Sequence, residues 1–199
     1  MPPRARCSIG IAALAVFALL ALQVVLHGPL TVLDVRVSAW LAAHRTPGMT
    51  QAMLLASNVH ETVKLLAVAL AVAGWRWWRG DRAGAQSMLV VPVAELLNVG
   101  LKHVFQRVRP TVAEPLVHLS TFSFPSGHAV ASTVFYGALC ALAWRQTRSR
   151  ALRGLACALG AMLVLLVAFS RVYLGAHYAS DVVAGMAVGA VCLALALTG

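Results

Sequence analysis

Acidic residues are scarce in this chain: Asp and Glu together number 6 among 199 residues, against 16 Lys and Arg. The sequence therefore offers no carboxylate cluster of the kind that ligates Mg2+ or Ca2+, and neither a metal nor a cofactor is expected. Charged residues of both signs make up only 11%, too few to cover the surface of a soluble domain of this length. The four cysteines (Cys7, Cys140, Cys157, Cys192) lack CxxC spacing and give neither a zinc site nor a disulfide frame. They read as small hydrophobes in or beside apolar runs. No internal repeat or low-complexity tract is evident. The net charge of +10 is not gathered into a basic stripe, so nucleic acid is not an expected partner.

What the chain has in abundance is apolar sequence. Hydrophobic residues make up 60% and the mean hydropathy is +0.82. Apolar runs of about 20 residues, each long enough to cross a bilayer, recur along the chain. They fall at roughly 8–27, 50–73, 85–105, 127–145, 153–171 and 179–198, which predicts an all-α, polytopic membrane protein with about six transmembrane helices. The first run exceeds the usual apolar core of a signal peptide and reads as a retained helix. Glu61 and Lys64 interrupt the second; three residues apart on a helix, they can pair with each other, and a polar cavity is the alternative.

The links set the expected topology. Arg4 and Arg6, then Arg76, Arg79 and Arg82 beside Trp75, Trp77 and Trp78, then Arg145, Arg148, Arg150 and Arg153 fall in alternate links. The positive-inside rule puts these links and both termini in the cytoplasm. The first outward link carries apolar residues at 33, 37, 40 and 41, the spacing of an amphipathic helix lying in the interface. Gly185 and Gly189 form a small-xxx-small pair suited to close helix packing within the monomer. The sequence does not set the oligomeric state.

Three segments carry the chemistry: Lys102-x6-Arg109-Pro110, Pro125-Ser126-Gly127-His128 and Ser170-Arg171-x5-His177-x3-Asp181. All fall at outward ends of spans. On a continuous helix, His177 and Asp181 would share a face one turn apart, where the carboxylate can fix the imidazole tautomer and leave a nucleophilic lone pair; a merely structural pair is as compatible with the spacing. Ser126 and Gly127 suit a helix start whose N–H groups bind phosphate, with the Ser126 hydroxyl as a further donor. His128 in the first turn is placed to protonate a leaving oxygen; an ordinary cap with an interfacial histidine is the alternative. Lys102, Arg109 and Arg171 are fixed cations of the type that stabilise a phosphoryl transition state, or else snorkel to headgroups. Lys102 and Arg109 share a face only if helix continues to Pro110.

Taken together, the three segments resemble the signature of the type-2 phosphatidic-acid phosphatase superfamily, which also includes bacterial undecaprenyl-diphosphate phosphatases, glucose-6-phosphatase and the vanadium haloperoxidases. All eleven signature positions match, and with their flanking helices they cover roughly residues 85–198. The resemblance implies a phosphatase core built as a helical bundle, in a single integral-membrane domain over residues 1–199. It implies metal-independent hydrolysis of a lipid phosphomonoester or diphosphate: His177 as nucleophile and phosphohistidine, Asp181 orienting it, His128 as acid and then base. Lys102, Arg109, Ser126, Gly127 and Arg171 would hold the phosphoryl oxygens; Ser170 matches with no role beyond the helix end. Undecaprenyl diphosphate, phosphatidylglycerol phosphate and phosphatidate are the candidate substrates, undecaprenyl diphosphate leading because the site faces outward. The implied setting is a bacterial plasma membrane with membrane lipids around the chain. A non-catalytic lipid-phosphate binding or transport protein, or a vanadate-dependent oxidase, would use the same pocket. His103, Arg107, Glu114 and His118 are expected near the site, shaping headgroup choice. Glu95 and Asn98 are expected to bond to neighbouring helices, and His27, His44 and His60 to be interfacial or packed.

Overall fold

The structure, a computed structural model, describes residues 3–111, 116–117 and 119–196, with side chains from residue 6 onward. Glu114 and His118 lie outside the described residues. Among the described residues, eight helices follow one another: α1 (Pro3–Val25), α2 (Pro29–Ala43), α3 (Pro47–Val59), α4 (Thr62–Trp78), α5 (Arg82–Phe105), α6 (Gly127–Gln146), α7 (Arg150–Tyr173) and α8 (Ala179–Ala196). Among the described residues there is no strand. Six spans among the described residues are long and apolar enough to cross a membrane, α3 and α4 counting as one, and the chain is an all-helical integral membrane protein.

The expected single helix over 50–73 is in fact broken at His60–Glu61. The sequence shows why. The His60 ring turns back onto the Ala56 carbonyl (Nδ1 to O, 2.8 Å) and Lys64 Nζ donates to Asn58 O at 2.7 Å, so side chains satisfy carbonyls that would otherwise carry the helix onward. Lys64 also pairs with Glu61 at 3.2 Å, as the spacing predicts, with both side chains exposed; such a pair contributes little stability. The break turns Ser57 and His60 inward, where His60 Nε2 accepts from the Tyr136 hydroxyl at 2.7 Å.

The amphipathic segment over 33–41 is helical within α2, with most of its apolar face turned outward. Leu33 and Trp40 are more than half exposed, whereas Asp34, Ser38 and Leu41 are buried. In a bilayer the outward face is the apolar one, so Leu33 and Trp40 gain nothing by turning inward. Asp34 gains an ion pair there.

Buried residues of α4, α5, α6 and α8 (Leu65, Ala69, Val91, Val130, Val134 and Val188 among them) form the main core. α8 can approach α6 because Gly185 and Gly189 carry no side chain. A Cβ on Gly185 would lie 2.6 Å from Ser126 O and 2.9 Å from Ala129 Cβ; one on Gly189 would meet Thr133 Cβ at 2.8 Å. The small-xxx-small pair therefore packs within the monomer. α1 closes over α8 through Phe17, Ala21 and Val24 against Phe124 and Ala184. Tyr173, ending α7, ties down the α2–α3 link through the Thr46 amide (3.0 Å to Tyr173 Oη) and Arg45 Nε (3.1 Å to Tyr173 O).

Gly185→Ala is expected to force α6 and α8 apart at the Ser126 backbone and cost about 1–3 kcal/mol. The measurement is the melting temperature of detergent-purified protein, which should fall by several degrees; an unchanged value would mean that the two helices separate freely.

Candidate active site

Three non-helical stretches gather the polar side chains at one end of the bundle. α5 ends where Gln106 adopts φ 45°, so the helix does not run on to Pro110. Lys102 and Arg109 consequently share no helical face. They meet by another route. The Ser123 amide donates to Arg107 O at 2.8 Å and Ser123 Oγ to Val108 O at 3.1 Å, laying residues 106–109 against 121–123. Carbonyls of this clamp then hold the cations. Lys102 Nζ donates to Phe122 O at 2.5 Å, and Arg109 donates from Nε to Thr121 O at 2.7 Å and from Nη1 to Ala176 O at 2.6 Å.

His177 stands in the turn between α7 and α8, not on a helical face shared with Asp181 as the spacing suggested. Gly175, at φ 75°, allows that turn, and the Ala176 and His177 amides both donate to Arg171 O, at 3.1 and 3.2 Å. His177 Nδ1 lies 2.8 Å from Ser123 O. That oxygen only accepts, so Nδ1 carries the proton. Arg109 Nη1 reaches Nε2 at 3.3 Å, and a guanidinium only donates, so Nε2 carries the lone pair. Asp181 Oδ2 is farther from Nδ1, at 3.5 Å, and accepts from the Tyr178 amide at 2.9 Å. The carbonyl of Ser123 is thus the primary orienter, with Asp181 behind it as a charge. Burial pushes the His177 imidazole down to about 4, against the opposing hydrogen bond and charge of Asp181.

Arg171 is buried, with one Nη bonded to Ser57 Oγ. Its Nε and its other Nη are buried without a protein partner, as is Ser126 Oγ. Ser126 is the N-cap of α6 but makes no side-chain cap bond; its hydroxyl, like two of the Arg171 donors, is left for an acceptor from elsewhere. Gly127 serves a packing need also: a Cβ there would lie 3.2 Å from Asn98 Nδ2 and 3.4 Å from Glu95 Oε2. Asn98 bonds to Glu95 within α5 (3.3 Å), and Glu95 also interacts with the Ala131 backbone of α6, so this pair faces the start of α6. His128, half-buried in the first turn of α6, has the cations Arg171 and Arg109 and the His177 imidazole as neighbours. Ser170 Oγ bonds back to Val167 O at 2.7 Å and stays within its helix.

Of the residues expected only to shape headgroup choice, His103 is exposed, edge-on to Phe122. Arg107 turns away from the pocket: Nη1 donates to Asp181 Oδ1 at 2.6 Å and Nη2 to Asp34 Oδ2 at 2.8 Å. Asp34, Ser57, Ser123 and Thr121 were not singled out by sequence. A lone carboxylate in an apolar interfacial segment is the one signal that could have found Asp34. A cavity of about 670 Å3, lined by Arg6, Ser87, Cys140, Trp144 and Arg145 among others, lies at the opposite helix ends and contains none of these groups.

The profile of the PAP2 superfamily matches residues 83–199. The chain belongs to the PAP2 superfamily. It is 32% identical over 147 residues to phosphatidylglycerophosphatase B of Bacillus subtilis, covering 73% of this chain and 72% of that protein. To YbjG of Escherichia coli, which carries a provisional undecaprenyl-diphosphatase name, it is 33% identical over 153 residues, covering 71% and 69%. A crystal structure of a transmembrane PAP2-type phosphatidylglycerolphosphate phosphatase from Bacillus subtilis superposes with a TM-score of 0.85 at 28% identity, covering 94% of this chain and 93% of that one. LpxE of Aquifex aeolicus shares the fold, with a TM-score of 0.64 at 18% identity.

Within this PAP2 chain the Ser123 and Arg109 contacts predict one tautomer for His177. Nitrogen NMR of selectively labelled protein near pH 7 should give a protonated Nδ1 and a bare Nε2; a protonated Nε2 would contradict the geometry.

Proposed function

We propose that this PAP2-family membrane phosphatase hydrolyses a phosphomonoester or diphosphate of a membrane lipid through a covalent phosphohistidine at His177. The observation that carries the reading is the Nε2 lone pair of His177, held by the Ser123 carbonyl behind it and facing Arg109. The bare donors of Arg171 and the Ser126 hydroxyl in the same group support it. Nε2 attacks phosphorus as the bond to the leaving oxygen breaks, and His128 gives that oxygen its proton. His128 then takes a proton from water, whose oxygen attacks the phosphohistidine and releases orthophosphate. Lys102, Arg109 and Arg171, with the Ser126 hydroxyl and the Gly127 amide, spread over the equatorial oxygens. No step in this scheme uses a metal.

The lipid is a phosphatidylglycerol phosphate or an undecaprenyl diphosphate, by the chemistry in the names of the two relatives; phosphatidate is the third candidate. Short links leave headgroup choice to the pocket rather than to a soluble domain. The site faces outward in the plasma membrane of a bacterium, with both termini in the cytoplasm, a reading supported by the Arg-rich links at the opposite end.

A phosphate-release panel over these lipids with purified protein tests the reading. His177→Ala should lower release by at least a thousandfold while the protein still inserts and melts normally; retained release would refute it. The acid limb of kcat/KM should lie near pH 4, well below the ordinary histidine value of about 6.5. As pH falls through that limb Nε2 gains a proton and the nucleophile is lost. The alkaline limb belongs to the coupled His128–His177 pair in the presence of the substrate's charge. A profile flat from about pH 3 to 9 would contradict both roles.

A further inference from the structure

We propose that Asp34, on the interfacial helix α2, is a positioning residue for phosphoryl transfer: it offsets Arg107 so that the Asp181 carboxylate remains available to the charge that forms on His177. This inference rests on the assignment of His177 as nucleophile.

The geometry is a buried chain of alternating charge. Asp34 is 2% exposed, Asp181 0% and His177 2%. Arg107 is forked between the two carboxylates, with Nη2 on Asp34 Oδ2 (2.8 Å) and Nη1 on Asp181 Oδ1 (2.6 Å), and its guanidinium lies over the Tyr178 ring at 4.2 Å. Nη1 also donates to Ser180 Oγ at 2.7 Å. The second oxygen of Asp34 accepts from the Ser180 amide at 3.0 Å, and the Ser180 hydroxyl donates to Asp34 as well. Ser180 lies in the first turn of α8, where amides have no partner within the helix. Asp34 therefore caps α8 from another helix, one residue from Asp181.

The charge balance gives this arrangement its function. When the Nε2–P bond forms and the bond to the leaving oxygen breaks, His177 keeps its Nδ1 proton and becomes a cation. Arg107 and Asp181 alone would sum to zero, and Arg107 would oppose that cation. Adding Asp34 makes the group of three net negative before the step and neutral with His177 after it. The other charged or titratable groups facing His177 are Arg109 from the clamp, Arg171 from α7 and His128 from α6, with Lys102 of α5 facing Asp181. All of these are cationic or neutral; among the described residues Asp181 is the carboxylate that faces His177, with Asp34 reinforcing it through Arg107, while Glu95 faces Lys102.

Asp34→Asn keeps the size and an acceptor for the Ser180 amide while removing the charge. Expected are a fall in kcat of roughly tenfold or more, a KM for the lipid within about twofold of wild type, and an acid limb displaced to lower pH. Arg107→Gln removes the opposing cation and should move the same limb to higher pH. Ser180→Ala, which removes hydrogen bonds but no charge, should leave the limb in place, and Asp34→Glu should recover kcat relative to Asp34→Asn. A merely structural role predicts losses that follow melting temperature, with the limb unmoved in all four, and that result would overturn the proposal. If Asp34→Asn does not fold, the direction of the Arg107→Gln limb decides the same question. His177→Ala run in parallel separates the failures. Phosphate release that survives it refutes the nucleophile itself; release that it abolishes, beside wild-type kcat and limb in Asp34→Asn, refutes only the role of Asp34.

Discussion

Every cation buried in this bundle needs an acceptor, and the helix backbones have few to give. Carbonyls within a helix are already committed to their own ladder, and the chain has few carboxylates to pair with bases. The irregular stretches supply what is missing: Phe122 O takes Lys102, while Thr121 O and Ala176 O take Arg109. Asp34 and Asp181 share Arg107. The clamp of residues 106–109 and 121–123 and the turn after α7 are thereby held as firmly as the helices around them. Among the buried atoms left without a protein partner are two Arg171 nitrogens and the Ser126 hydroxyl. Such donors suit a ligand that brings its own oxygens, as the phosphoryl group of the proposed reaction would.

The same constraint explains the frame. Gly185 lets α8 touch the backbone at the head of α6, and Gly127 lets Glu95 and Asn98 approach it. Ser57, brought inward by the break after α3, holds one end of Arg171. The helices thus act as spacers that fix where their ends lie, and the ends carry the residues of the proposed site.

How much of this was legible from sequence depends on distance along the chain. Span number and position followed from apolar run length, because a bilayer demands about 20 residues and admits few charges. The signature segments marked His177, Asp181, His128 and the basic residues because each has short-range spacing. What spacing could not show is geometry created by breaks in the helices. The i,i+4 relation of His177 and Asp181 suggested one helical face; the turn at Gly175 puts Ser123 O in the orienting place instead. Arg107, two residues before Arg109, looked like one more headgroup cation, and only its contact with Asp34, distant in sequence, shows otherwise. The apolar stripe of α2 marked the helix but not the buried Asp34 on its other face.

The central claim is that phosphate passes through a bond to His177. Rapid-quench labelling of the purified protein with a radiolabelled lipid phosphate tests it most directly. The account predicts an alkali-stable, acid-labile label that maps to the peptide containing His177, appears before orthophosphate is released and is absent from His177→Ala. Label on another side chain, or turnover with inversion at phosphorus and no covalent species, would contradict it.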